Sequence, residues 1–425
     1  MKHNNATLML VSAFIFLSTC ASSNACCPLC LAPQRTWAET IHEAEVVVLG
    51  KLISRDEGAE DRKPSAEFEV VHVHKSTALF KHDVKTRVRI HEFVYGETGD
   101  LFLLTASLRD ANTRTLHETF ATTNSGEKTD LKIKKVSATE SKPDYVIAWD
   151  VPVPASMKAW KYVTAAPSPD HDTLERLNYF LPYLENSSDL VASDAWGEFA
   201  KAEYGVIKKL SPKFSATNLR TWISNSETGP ERLSLYGLML GMCGGAEDAE
   251  FLRQQIGLAK TGEIQLGHEG LMGGLLVLAG ENGLRFLEET RLHRETAPTF
   301  EILAAVQAIQ FLWNHEPERI AKERMRKALH PLLNNESMRE IVIIDLARWQ
   351  DWSLVSKLPD VYSQCREDDS RTTAAIVGYL LAYLKTNQVA KSDGDSDDER
   401  RAEKLLEVIR ADNPRLVRTQ ERQFD

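Results

Sequence analysis

Residues 45–53 read Glu-Val-Val-Val-Leu-Gly-Lys-Leu-Ile, and this run decides how the first third of the chain is interpreted. It is short, apolar and rich in β-branched valine, a pattern that predicts a buried strand. A short helix is predicted just before it, from Trp37 to Ala44. The sequence therefore predicts that a helix leads directly into a buried strand.

The next predicted strand begins near Ala66 and changes its pattern partway along. Phe68 and Val70 are apolar and share one face, whereas beyond them the apolar positions are Val71 and Val73. A change of face within one strand indicates an extra residue, so we expect a β-bulge between the two halves.

Three further strands are predicted, at residues 85–91, 101–104 and 145–149. The segment 109–142 is polar, and we interpret it as a long surface excursion or a mobile hairpin. Five short strands and one helix predict a closed or partly open barrel of the OB type, in a domain that covers residues 26–165.

Helical periodicity replaces the strand pattern after residues 167–170, Pro-Ser-Pro-Asp, and continues to about Thr386. Predicted apolar helices begin near Ser188, Gly229, Gly267, Thr299, Met338 and Arg371. Their spacing of roughly 32 to 41 residues is typical of HEAT-like helix pairs. The predicted fold class is therefore α+β: a small OB-like β-barrel, then an all-α HEAT-like solenoid over residues 166–388. A charged tail, 389–425, is expected to contain a terminal helix.

Several glycines fall inside the predicted apolar helices, where each costs about 1 kcal/mol relative to alanine. They are Gly237, Gly241, Gly270, Gly273 and Gly274. Since no strand precedes them, they do not form a phosphate-binding loop. We expect them to let neighbouring helices approach closely.

The first 25 residues have the pattern of a secretory signal peptide. Lys2 precedes an apolar run, residues 6–17, and Ser23-Asn24-Ala25 forms a small-x-small cleavage site. Cleavage after Ala25 would make Cys26 the new N-terminus, and we expect the protein to be exported. Residues 17–20, Leu-Ser-Thr-Cys, also resemble a lipobox, in which Cys20 would be lipidated and hold the protein at a membrane.

The charge of the chain excludes one class of partner. Its formal net charge is −10, and an acidic protein repels a phosphate backbone, so we expect no nucleic acid partner. After the signal segment, no apolar run reaches the roughly 18 residues of a membrane helix.

The N-terminal third resembles a known module in three places. A cysteine-rich start precedes a helix that ends in residues 44–51, Ala-Glu-Val-Val-Val-Leu-Gly-Lys. Residues 68–75 and 99–104 supply two further strand motifs. Together they resemble the netrin-type module of tissue inhibitors of metalloproteinases.

That resemblance implies an OB-type fold. In the family, the N-terminal cysteine chelates the zinc of a target protease through its amino group and carbonyl, and Cys26 holds the matching position. The family has Cys-x-Cys, whereas this chain has Cys26-Cys27-x-x-Cys30 and no further cysteine before Cys243. The resemblance therefore predicts the fold and not the inhibition.

Cys27 and Cys30 form a C-x-x-C pair, which suits a redox dithiol, half a zinc site or a local disulfide. No strand precedes the pair and no further zinc ligands have suitable spacing. We therefore expect a structural disulfide within the cluster Cys26, Cys27 and Cys30.

Candidate metal ligands are sparse. His72 and His74 share one face of a predicted strand, with His91 as a possible third ligand, but a solvated strand face is the favoured interpretation. Asp393, Asp395 and Asp397 resemble a calcium loop without the glycine and glutamate that an EF-hand requires. We expect no metal and no cofactor.

One helix carries three charged residues that resemble a catalytic set. Asp194, Glu198 and Lys201 recur at helical spacing, and we interpret them as a surface ion pair on a repeat helix. No nucleophile elbow or metalloprotease helix is present. We expect a non-enzymatic, exported protein-binding or scaffold protein; the alternatives are a metalloproteinase-inhibitor-like head on a solenoid and a thiol redox protein using Cys27 and Cys30.

Overall fold

The computed structural model describes residues 35–59, 63–77, 83–110, 145–258, 266–365, 369–390 and 397–424. Within them the protein is α+β, with an antiparallel sheet followed by sixteen α-helices. The chain divides into two units: one spans Ala32–Phe199, and the other contains Ala200–Asp425.

Helix α1 (Trp37–Glu43) begins where the sequence predicts because Thr36 caps it. The Thr36 hydroxyl accepts a hydrogen bond from the Glu39 N–H, and the Glu39 carboxylate accepts one from the Thr36 N–H. This capping box satisfies two backbone donors at the start of the helix. Strand β1 (Val46–Asp56) follows and contains the predicted apolar run.

The sheet has six strands in the described residues. After β1 they are β2 (Ser65–Lys75), β3 (Arg87–Ile90), β4 (Leu101–Asp110), β5 (Tyr145–Trp149) and β6 (Val153–Pro154). Their order is β3-β2-β1-β4-β5, and β6 pairs with β4. All five predicted strands are confirmed. A closed barrel, one of the two predicted forms, is wrong, since closure needs β3 to pair with β5 and the described residues contain no such pairing.

The predicted bulge in β2 is confirmed by the register of β1 and β2. Leu49 lies opposite His72, but its neighbour Gly50 lies opposite Val70, which leaves Val71 as an extra residue. The bulge keeps Val70 in the core while His72 is exposed. An apolar pattern that changes parity is thus accommodated without burying a polar side chain.

One buried cluster of this unit lies on one face of the sheet. The rings of Phe68 and Phe102 pack edge to face with centroids 5.4 Å apart. Gly50 permits the close approach of β1 to its neighbours, because a Cβ there would lie 2.6 Å from Cδ1 of Leu104. The other members of this buried cluster are Val46, Val48, Leu52, Ala66, Val70, Val88, Ile90, Val94, Leu104 and Ala106.

Besides α1, three further helices belong to the same unit: α2 (Met157–Ala165), α3 (Thr173–Phe180) and nearly all of α4 (Asp189–Lys201). The unit therefore extends past the predicted boundary at residue 165. Helix α2 was not predicted, although Ser156 caps it by accepting a hydrogen bond from the Ala159 N–H at 3.1 Å.

The second unit is helical in its described residues. Its helices are α5 (Tyr204–Leu210), α6 (Ala216–Ser224), α7 (Pro230–Cys243), α8 (Ala246–Gly257), α9 (His268–Ala279), α10 (Glu281–Leu287), α11 (Thr299–His315), α12 (Lys322–Leu329), α13 (Arg339–Arg348), α14 (Leu358–Ser363), α15 (Ser370–Ala390), α16 (Asp397–Asp412) and α17 (Pro414–Phe424). The six apolar helices, α4, α7, α9, α11, α13 and α15, each begin within one residue of the predicted position. Helix α17 was not predicted. No helix of the described residues is long and apolar enough to span a bilayer.

The glycines inside the helices lie where α7 packs on α9. A Cβ on Gly241 would lie 2.5 Å from the Gly274 carbonyl oxygen, and one on Gly237 would lie 2.6 Å from the Leu271 backbone nitrogen. Only glycine permits such contact between two helix backbones, so the predicted close approach is confirmed. Helix α9 packs in turn on α11, and α13 packs on α15.

Candidate functional site

Among the described residues, strand β3 is an edge of the sheet, and part of its backbone faces away from β2. The Val70 N–H donates to the Thr86 carbonyl at 2.9 Å. This bond determines which residues of β3 direct their backbone groups toward β2. Hydrogen-bonded positions alternate along an antiparallel edge strand, so the backbone N–H and C=O of Arg87 and Arg89 point away from β2. These two residues can hydrogen bond to another extended chain.

The loop after β3 presents an aromatic pair. Phe93 and Tyr95 are 40% and 79% exposed, and their rings pack edge to face with centroids 4.7 Å apart. Val94, between them, is buried in the core of the sheet. Arg55 donates to the Gly96 carbonyl at 2.8 Å. The contacts of Val94 and Gly96 therefore hold the segment that carries Phe93 and Tyr95.

The charged residues of β3 limit what can pair with it. Arg87 and Arg89 are exposed, and Nη1 of Arg87 lies 3.7 Å from Oε1 of Glu67 on β2. A short edge strand with exposed cationic side chains resists unspecific strand pairing. The exposed rings of Phe93 and Tyr95 add a feature that mere protection of an edge does not need. Arg87, Arg89, Phe93 and Tyr95 are called the edge patch below.

The predicted third strand ends at residue 91 and therefore gives no role to Phe93 and Tyr95. A usable signal was present. Phe93 and Tyr95 keep the same parity as Arg87 and Arg89, whereas Val94 keeps the parity of the buried side. Two large aromatic residues on the expected solvent side of a strand pattern indicate a contact surface.

The candidate histidines do not come together as a metal site. His72 and His74 are exposed and lie beside the ring of Trp160, at centroid distances of 6.3 and 6.4 Å. Partial burial and the charge of Lys75 lower the pKa of His74. Ile90 pairs with Ala66, which places His91 about seven residues along β2 from His72, or about 23 Å. In the described residues, no group of three His, Cys, Asp or Glu side chains could hold a metal ion.

The predicted cysteine sites lie outside the described residues. These are Cys20 and the cluster Cys26, Cys27 and Cys30. Cys243 and Cys365 are half-buried free thiols. Burial and the nearby Asp248 raise the pKa of Cys243 to about 11, so this thiol is protonated at neutral pH.

The surface interpretation of Asp194 and Glu198 is wrong, because α4 is packed inside its unit. Asp194 is 6% exposed and Glu198 is 4% exposed. The Trp37 N–H and the Tyr162 hydroxyl donate to Asp194 at 2.6 and 2.8 Å. Arg176 pairs with Glu198. These contacts join α1, α2 and α3 to α4, so Asp194 and Glu198 have a structural role.

A scan of family models and searches of curated proteins and of solved structures find nothing that matches this chain.

Proposed function

We propose that this chain is an exported, non-catalytic binding protein that captures an extended segment of another protein at the edge patch. The observation that carries the proposal is an edge strand with outward backbone groups at Arg87 and Arg89, beside the exposed pair Phe93 and Tyr95. An added strand would bond to the backbone of β3 and place an apolar side chain against the two rings.

The charges of the edge patch favour a partner other than a second copy. If β3 paired with β3 of another copy, Arg87 and Arg89 would lie opposite cationic side chains, and like charges across a strand pair are unfavourable. A segment with glutamate or aspartate at alternate positions would instead complement both arginines. The proposed occupant is therefore an extended acidic segment with an apolar anchor.

The finer architecture is part of the same proposal. We infer an OB-like, netrin-like head and a HEAT-like solenoid. The head is supported by an antiparallel sheet with a bulge in β2. The solenoid is supported by apolar helices that pack in the series α7-α9-α11 and in the pair α13-α15. Such stacks present extended surfaces for proteins. Inhibition through Cys26 and redox work by Cys27 and Cys30 depend on residues that lie outside the described part of the chain.

The test uses linear peptides selected from a random 12-residue phage library on the full chain. Selected peptides should bind wild-type protein and slow amide hydrogen exchange at Arg87 and Arg89. Phe93→Ser with Tyr95→Ser should weaken binding at least tenfold. Val151→Ser is the matched control, because Val151 is an exposed apolar residue of the same unit, 63% accessible, outside the edge patch.

A second variant tests the main-chain bond and the charge of Arg89 together. Arg89→Pro removes an outward N–H without breaking a bond to β2, and proline is accepted at such edge positions. Binding should fall at least tenfold while circular dichroism stays unchanged. The proposal is overturned if no peptide is selected, if bound peptides leave the β3 amides unprotected, or if the chain self-associates through this edge.

A further inference from the structure

The face of the sheet opposite the buried cluster carries charges whose sign alternates from strand to strand. Lys51 of β1 lies opposite Glu69 of β2, and Glu69 lies opposite Arg87 of β3. Side chains of directly opposed residues share one face, with their Cβ atoms about 5 Å apart. Arg87 is the last member of this row, because β3 is an edge of the described sheet. A carboxylate on an added strand would continue the alternation.

A second row runs beside the first and ends in the same sign. Glu67 of β2 lies opposite Arg89 of β3, and its Oε1 atom is 3.7 Å from Nη1 of Arg87. Arg87 and Arg89 are two residues apart on the strand, which separates their Cα atoms by about 7 Å. Two carboxylates at alternate positions of an added strand have the same separation. Each arginine therefore meets one carboxylate.

The short length of β3 favours an antiparallel occupant. In an antiparallel pair, a residue exchanges both backbone bonds with the residue directly opposite, so a stretch of three residues completes all four bonds to Arg87 and Arg89. Parallel pairing spreads the same four bonds over five residues, and it is less stable per residue. Since β3 has only four residues, Arg87–Ile90, the antiparallel arrangement uses the edge more completely.

The aromatic pair lies beyond the C-terminal end of β3. Phe93 follows Arg89 by four residues, and the rise of an extended chain limits the distance between their Cα atoms to about 13 Å. An antiparallel occupant runs from the aromatic pair toward Arg87, so its N-terminal part meets the rings first. Glu92 is exposed between the arginines and the rings and disfavours a further carboxylate at that point.

We infer that the segment captured at the edge patch has a fixed order. An apolar anchor comes first, and two acidic residues at alternate positions follow it, the first of them within about four residues. The first carboxylate pairs with Arg89 and the second with Arg87. This order rests on the proposed function and adds to it the direction and the register of the bound segment.

Two synthetic peptides of identical composition test the direction. The forward peptide contains Trp-Thr-Ser-Thr-Glu-Thr-Glu, and the reversed peptide contains the same residues in the opposite order. Both are blocked at each end, labelled with one fluorophore and titrated with the full chain by fluorescence anisotropy. The forward peptide should bind at least tenfold more tightly, because only this order brings the anchor and both carboxylates to their partners in an antiparallel strand.

Double-mutant cycles test the register. Replacing the first glutamate of the forward peptide by glutamine should weaken binding to the wild-type chain by about two- to fivefold, and should have no effect on Arg89→Gln. The second glutamate should depend on Arg87 in the same way, with Arg87→Gln as the variant. Arg109→Gln is the matched control, because Arg109 is an exposed arginine of β4 outside the edge patch. Both glutamates should keep their full effect in it.

Three outcomes would overturn this order: equal or tighter binding of the reversed peptide, no binding of the forward peptide, or a glutamate effect that persists in both arginine variants. The proposed function survives each of them if phage-selected peptides still protect the amides of Arg87 and Arg89. If no peptide of any order binds at β3, the proposed function fails as well.

Discussion

Asp194 combines deep burial with hydrogen bonds from the Trp37 N–H and the Tyr162 hydroxyl. Burial outweighs both bonds and raises the pKa of Asp194 from 3.8 to about 6. The folded state therefore binds this proton more tightly than the unfolded state does. The protonated carboxyl of Asp194 therefore stabilises the fold by about 3 kcal/mol. This stabilisation is fully present below about pH 4 and is lost as the pH rises through 6.

Asp194→Asn should remove this dependence on pH. The asparagine carbonyl can accept from the Trp37 N–H, and its amide can donate to the Tyr162 oxygen, as a protonated carboxyl would. Urea unfolding at pH 4.5, 6 and 8 should show a gain in stability for this variant at pH 8. Asp194→Ala should lose the dependence on pH as well, and it should be about 2 kcal/mol less stable than Asp194→Asn at every pH, because it strands a buried donor.

Asp189→Asn is the control for that series, because Asp189 is an exposed carboxylate on the same helix. It should reproduce the wild-type dependence on pH. If Asp194→Asn behaves in the same way, the carboxyl of Asp194 is already ionised at pH 4.5 and burial does not raise its pKa.

At the scale of elements, the sequence predicted what local periodicity determines. The five strands, the bulge at Val71 and the starts of six apolar helices follow from side-chain patterns within one segment. The burial of Asp194 and the edge position of β3 could not be predicted in the same way. They depend on which surfaces other elements cover, and a strand pattern alone does not show that β3 lies at an edge.

The contact between α7 and α9 gives an element-scale prediction. Gly274→Ala should lower the free energy of unfolding of the second unit by at least about 2 kcal/mol, because a Cβ would lie 2.6 Å from the Gly237 carbonyl carbon and neither backbone can move independently. Thermal unfolding followed by circular dichroism measures the change.

Gly205→Ala is the matched control, since a Cβ at Gly205, in helix α5, has nothing within 4 Å. It should be neutral or stabilise by about 0.5–1 kcal/mol, as alanine favours helix. Equal effects of the two variants would contradict the close-packing role of Gly274.

At the scale of the whole molecule, the six cysteines test the export proposal. Protein purified from its own envelope or medium should begin at Cys26, with Cys26, Cys27 and Cys30 at least partly oxidised and with Cys243 and Cys365 as free thiols. Intact and peptide masses under non-reducing conditions measure all of these states. The raised pKa of Cys243 predicts slow alkylation until urea exposes it, because the thiolate is the reactive form. A lipid adduct on Cys20 would make the protein membrane-bound and exclude a free amine at Cys26, and full-length protein in the cytoplasm would contradict export.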